Sequence, residues 1–214
     1  MEWAAVRLVL VTDVAAMGVD DLVTFRARIA RALDGAPAGA VAVQVRDKTA
    51  SGALVAAMGR AAMEAARFRA LVAVNDRLDV ALAIGADAVH LPEAGLPVAV
   101  ARALVATLGR PLLIGASRHA VDPAKAALAD GADYVQLGPI WETPSKAGMG
   151  DPLGLPPLGQ VAGRCVAVGG IEGPERARAA IHAGASAVAV IRAVWSAPDP
   201  ARAVAGLLAA IAQP

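Results

Sequence analysis

The sequence predicts an α/β chain folded as a single-domain (β/α)8 barrel, and two observations carry that prediction. Four Gly-Ala pairs, beginning at Gly39, Gly85, Gly131 and Gly184, recur at intervals of 46, 46 and 53 residues, each between an Ala-rich stretch and a short apolar run. A glycine just past a helix can take the left-handed conformation that ends it, and the apolar run that follows reads as a buried strand. Further apolar runs lie halfway between the pairs, so each repeat holds two strand–helix units. Alternating strands and helices imply a parallel sheet. Eight units in 214 residues fit the small end of the TIM-barrel range, and no composition break divides the span 1–214 into two domains.

In chain order, the strands are expected at residues 8–12, 41–45, 71–74, 88–91, 112–115, 134–137, 166–168 and 187–191. Amphipathic Ala-rich segments at 20–33, 51–68, 97–108, 123–129 and 174–183 read as helices, with Ser51, Asp122 and Gly173 at N-cap positions. The rival architecture is a doubly wound open sheet. It would not explain the even spacing, and it would want a Gly-rich phosphate turn after the first strand, where Thr12-Asp13-Val14 offers none.

Composition excludes several function classes. No run of 18 or more uncharged apolar residues is present, so no membrane span is expected. Met1-Glu2-Trp3 lacks the basic start of a signal peptide, and a cytoplasmic location is expected. A net charge of +1 with dispersed Lys and Arg gives no basic stripe for nucleic acid. The lone Cys165 opens an apolar strand and reads as a buried, inert thiol. The Ala-rich helices would permit a homodimer.

Chemistry in such a barrel is confined to the C-terminal ends of the strands and the loops after them. After strand 2, alternation puts Gln44, Arg46 and Lys48 on one side and Val43 and Val45 on the other, so two cations and an amide converge at the mouth. After strand 3 come Asn75 and Asp76. Asp76 could cap the next helix, or hold Mg²⁺ together with substrate phosphates. After strand 4 comes His90-Leu91-Pro92-Glu93, and after strand 5 comes Gly115-Ala116-Ser117-Arg118-His119. His182, in the last turn of a helix, is explained by the negative end of the helix dipole.

The loop after strand 6 is long and rich in Gly and Pro, as binding loops are, and it carries Trp141, Thr143, Ser145 and Lys146. Strand 7 ends in Gly169-Gly170 and strand 8 in Ile191-Arg192. Glycine at that position lets backbone N–H groups approach an anion, so a phosphate is expected there. From the residues alone, the chain is a barrel that holds a phosphorylated small molecule, with extra cations on the opposite side.

These segments resemble the thiamine phosphate synthase and TenI superfamily over nearly the whole chain. Gln44-Val45-Arg46-Asp47-Lys48 is similar to its Q-x-R-[ED]-K segment, Asn75-Asp76 to its N-D motif, and Gly115–Arg118 to the start of its G-x-S-x-H, which His119 completes. Gly138-Pro139-Ile140 leading to Thr143-Pro144-Ser145-Lys146 resembles G-P-[IV]…T-x-[TS]-K, and Gly169-Gly170-Ile171 resembles the G-G-I phosphate turn. The resemblance implies that Gln44, Arg46, Lys48 and Asn75 hold the pyrophosphate of a hydroxymethylpyrimidine, that Asp76 binds Mg²⁺, and that Ser117 contacts the pyrimidine. It further implies that Thr143, Ser145 and Lys146 line the lid, and that backbone groups at Gly170 and Ile191 take a thiazole phosphate.

The pattern breaks after strand 4. Where synthases carry H-x-G-Q-x-D, with the Asp as a second Mg²⁺ ligand, this chain has Gly95 in place of the Asp. Arg192 also stands where synthases usually have Ser. H-L-P without the Asp looks more like the TenI branch, which isomerises a thiazole carboxylate phosphate without metal. On that narrower reading His119, an imidazole suited to proton transfer, is the catalytic residue, with Lys146 beside it. The alternative is the synthase itself, with Glu93 reaching the metal in place of the missing Asp. A non-catalytic barrel sensing thiamine intermediates is a third reading, against which Asp76, His119 and Lys146 count.

Overall fold

Short runs of Val, Leu, Ile and Ala, too short for core helices and bounded by turn residues, become eight strands. In the computed structural model, which describes residues 2–143, 151–161 and 163–212, they are β1 (Leu8–Val11), β2 (Val41–Val45), β3 (Leu71–Asn75), β4 (Ala88–Leu91), β5 (Leu113–Arg118), β6 (Tyr134–Leu137), β7 (Cys165–Val168) and β8 (Ala187–Val190). All pair in parallel in sequence order, and β8 pairs with β1 to close the barrel. The helices around it are α1 (Val14–Met17), α2 (Leu22–Ala32), α3 (Gly52–Ala66), α4 (Leu78–Ile84), α5 (Val98–Thr107), α6 (Val121–Ala129), α7 (Pro174–His182), α8 (Arg192–Trp195) and α9 (Pro200–Ala212). Among the described residues, no helix is long and apolar enough to cross a membrane.

The Gly-Ala pairs act as the repeat predicts. Gly39, Gly85, Gly131 and Gly184 all have positive φ, and the last three sit at the ends of α4, α6 and α7. Gly39 differs, closing the loop that follows α2 rather than the helix itself. The next residue in three repeats latches the neighbouring strand. Asp87 accepts from Val72 N at 2.8 Å, Asp133 accepts from Ile114 N at 2.6 Å, and the Ser186 hydroxyl donates to Cys165 O at 2.9 Å. These bonds satisfy strand-end groups that the parallel ladder leaves open.

Two expectations need correction. α6 begins one residue before Asp122, and its N-cap is Ala120, so Asp122 lies in the first turn, where its charge suits the helix dipole without capping. Ser51 does cap α3, accepting from Leu54 N, and Gly173 is the N-cap of α7. The sixth unit has no α-helix among the described residues. A 3-10 turn at Pro156–Gln160 stands in its place, because adjacent prolines remove the donors that a longer helix needs.

Strand alternation separates two cores. Val41, Val43 and Val45 of β2 face outward into the layer shared with the helices, whereas Ala42 faces inward. The interior floor is built from Val9, Leu71, Tyr134, Val166 and Ala187, and Trp3 closes it from below. The Trp3 and Tyr134 rings stack with centroids 3.4 Å apart and planes 6° apart. Tyr134 pairs in register with Gly115, and a Cβ on Gly115 would collide with the tyrosine ring. Cys165 is buried and its thiol is pushed up to about 12 by desolvation, which keeps it a neutral, unreactive thiol as the sequence suggested.

Candidate active site

Above the apolar floor, the inward residues change to polar ones. Gln136 of β6 donates to Gln44 of β2 at 2.6 Å, and Gln44 donates to Asn75 of β3 at 3.0 Å. β6, β2 and β3 each contribute one of these residues, so closure of the barrel assembles an amide chain from segments far apart in sequence. On the other side of the interior, His90 Nε2 lies 2.7 Å from Ser117 Oγ and His90 Nδ1 lies 3.2 Å from Tyr134 Oη. Thus Gln44 and Asn75 sit in one polar group with Gln136, and Ser117 sits in a second with His90 and Tyr134. His90 was visible in the sequence only as a histidine at a strand end, and nothing local marked Gln136 or Tyr134.

Burial pushes the His90 imidazole from its ordinary value of 6.5 down to about 3, and the charges of Arg118 and Arg46 push the same way. The ring is therefore neutral at physiological pH. In the unfolded chain it takes up a proton below pH 6.5, whereas the folded protein resists that proton until about pH 3. Stability consequently falls as pH drops through that window, by about 1.4 kcal/mol per pH unit. Urea titrations at pH 6.5 and pH 5.0 should show a loss of about 2 kcal/mol that His90→Gln lacks. Equal acid sensitivity in the two proteins would contradict this origin.

The rim above these polar groups is cationic. Arg46 is fixed through its backbone, whose N–H donates to the buried Thr12 hydroxyl at 2.8 Å while that hydroxyl donates back to Arg46 O at 3.2 Å. Thr12 follows β1 and was not singled out from sequence; a hydroxyl after an apolar strand was its only signal. Asp47 folds the turn after β2, accepting from Thr49 N, the Thr49 hydroxyl and Ala50 N, and those bonds hold its carboxyl below the usual range. Lys48 is left exposed on that turn. Arg118 of β5 adds a further cation, its guanidinium donating to Ser117 O at 2.7 Å.

Asp76 does not cap α4. The N-cap is Arg77, without a side-chain cap bond, and Asp76 itself sits at φ +66°, held by its N–H to His90 O at 2.8 Å. A left-handed non-glycine residue costs on the order of 1–3 kcal/mol and is found where the surroundings impose it, commonly at functional sites. The loop after β4 lies against this carboxylate, since a Cβ on Gly95 would stand 3.1 Å from Asp76 Oδ1 and 2.9 Å from the Pro92 ring. Glu93, the candidate for the missing second ligand, is engaged elsewhere. It pairs instead with His119 Nδ1. Among the described residues, no three His, Cys, Asp or Glu side chains gather into a metal-binding group. One carboxylate suits Mg²⁺ only in the mode where substrate phosphates supply most of its ligands.

Across the mouth, Gly169 and Gly170 both have positive φ, and added Cβ atoms would stand 2.7 Å from Pro139 and 2.6 Å from Trp141. Only glycine fits there. The N–H groups of Gly170, Ile191 and Arg192 take part in none of the turn, loop and cap bonds among the described residues, which leaves donors at adjacent strand ends. Arg176 of α7 steadies the turn by donating to Gly170 O at 2.6 Å and covering Trp141, 5.4 Å from the ring centroid. Arg192 reaches the Thr143 hydroxyl at 3.3 Å, tying the end of β8 to the loop after β6. Ser145 and Lys146 lie outside the described residues.

The family described as thiamine monophosphate synthase matches residues 8–194. The chain belongs to that family. A thiamine-phosphate synthase of Anaeromyxobacter dehalogenans is 45% identical over 186 residues, covering 85% of this chain and 82% of its own length. One from Roseiflexus castenholzii is 40% identical over 209 residues, covering 95% and 87%. A solved thiamine phosphate pyrophosphorylase from Pyrococcus furiosus superposes with a TM-score of 0.82 at 30% identity, covering 98% of this chain and 96% of that one. The chain is thus an enzyme of thiamine biosynthesis within the synthase and TenI superfamily. These relatives carry the synthase name, which favours the alternative drawn from the sequence over the narrower TenI expectation.

Proposed function

We propose that the protein is a thiamine-phosphate synthase, joining hydroxymethylpyrimidine pyrophosphate to thiazole phosphate with release of pyrophosphate. One observation carries this reading: two anion-binding features face each other across one mouth, cations on β2 and β5 against N–H groups after β7 and β8. A tautomerase needs only one of them. Arg46, Lys48 and the Asn75 amide would hold the pyrophosphate, and Gly170 and Ile191 the thiazole phosphate. Held this way, the thiazole nitrogen faces the pyrimidine methylene carbon. A C–N bond forms as the C–O bond to pyrophosphate breaks, and the cations stabilise charge on the leaving group. Asp76 is the residue that would hold Mg²⁺ with the pyrophosphate oxygens, and the ion would add positive charge at that leaving group. A cytoplasmic location and a homodimer remain compatible parts of this reading.

A second reading, thiazole tautomerisation, is favoured by the His119–Glu93 pair, since a carboxylate beside an imidazole suits proton transfer. Incubation of the protein with both synthase substrates and Mg²⁺ should yield thiamine phosphate and an equal amount of pyrophosphate, and omission of Mg²⁺ should lower the rate. Failure to form thiamine phosphate, together with turnover of the thiazole carboxylate phosphate to its tautomer, would establish the second reading instead. Turnover of neither would remove both.

A further inference from the structure

We propose that Tyr134 and His90 are positioning residues that fix Ser117 as a hydrogen-bond donor toward the ligand. The three side chains come from β6, β4 and β5 and form one line from the barrel floor to its mouth, with Tyr134 Oη 3.2 Å from His90 Nδ1 and His90 Nε2 2.7 Å from Ser117 Oγ. A neutral imidazole has one N–H and one lone pair, so the line has two possible polarities. The floor decides between them.

Tyr134 is fully buried, stacked on Trp3 and surrounded by Val9, Leu71 and Val166. Among the described residues, its hydroxyl has one hydrogen-bond partner, His90 Nδ1. If Nδ1 carried the proton, the phenolic hydrogen would be left unpaired in an apolar interior, which is the costly outcome. The phenol therefore donates to Nδ1, the imidazole proton sits on Nε2, and Nε2–H donates to Ser117 Oγ. With its oxygen engaged from below, the Ser117 hydroxyl hydrogen is directed away from His90 to the mouth. The site then selects a ligand atom with a lone pair at that point and disfavours an N–H. On the synthase reading, on which only the choice of ligand rests, that atom is a pyrimidine ring nitrogen.

Nitrogen-15 NMR of the intact, ligand-free protein tests the relay whatever the reaction. The three histidines are separated by loss of one ring system in His90→Gln. His90 should show a protonated Nε2 and a bare Nδ1, and Tyr134→Phe should bring in the other tautomer. A protonated Nδ1 in the unmodified protein, or an unchanged tautomer in Tyr134→Phe, overturns the proposal. In the synthase assay, Tyr134→Phe should raise KM for the pyrimidine pyrophosphate about 3- to 10-fold with kcat changed less than about twofold. That effect should vanish when Ser117 is already alanine. Its persistence there would mean that Tyr134 acts only on the fold, and the relay would be rejected.

Discussion

Arg46→Ala should lower kcat/KM for thiamine phosphate formation by about 10²- to 10³-fold, the usual cost of losing one preorganised group aimed at developing charge. The size follows from how the residue is held. Thr12 pins the Arg46 backbone from the neighbouring strand, so the guanidinium starts from a fixed base, and among the described residues it makes no hydrogen bond of its own. Its removal should consequently leave the melting temperature nearly unchanged while activity collapses. Lys48 and Arg118 remain at the rim, which is why the loss is not total. Steady-state kinetics with saturating Mg²⁺ is the measurement. A decrease smaller than about threefold would show that the pyrophosphate is held elsewhere.

Gly115→Ala is expected to cost the fold a large share of its stability through a single methyl group. The added Cβ meets the Tyr134 ring, which is fully buried and already stacked on Trp3 with centroids 3.4 Å apart. Overpacking of this kind costs about 1–3 kcal/mol, occasionally more. The same change in Gly206 of α9, where the nearest atom is 4.0 Å from the new Cβ, should have the opposite sign and stabilise by about 0.5–1 kcal/mol. Urea denaturation of both variants reads the contrast. If Gly115→Ala is as stable as the unmodified protein, the interior is looser than the stacked rings indicate.

The barrel was legible because its repeat is local: a helix end, a positive-φ glycine and a strand follow one another along the chain, and each leaves its mark within a few residues. The strand-end motifs were legible for the same reason, and Gln44 meets Asn75 in the barrel interior while Ser117 meets His90. Closure produced what the sequence hid. His90, Tyr134 and Gln136 become neighbours of site residues only because strands of distant sequence share one interior, and no local period records that meeting. Likewise Asp76 looked like a helix cap until its left-handed backbone turned it from that duty, and Glu93 looked available for a metal until His119 claimed it. The Gly95 change tipped the reading toward a tautomerase because one missing carboxylate weighs heavily when motifs are read singly, whereas similarity along the whole chain weighs all of them together.

The stack of Trp3 on Tyr134 also has a meaning for the order in which the molecule is made. Trp3 leaves the ribosome well before its partner ring, which belongs to β6, and the strand that closes β1 is β8. The floor beneath the polar groups therefore cannot be finished until most of the chain has been synthesised. Contacts so distant in sequence form late, after the loop between them has been closed. A nascent chain stalled before Tyr134 would carry a bare tryptophan and an unsupported His90, and would present that apolar surface to whatever chaperone is near. Completion of the barrel floor and release from that hazard are one event.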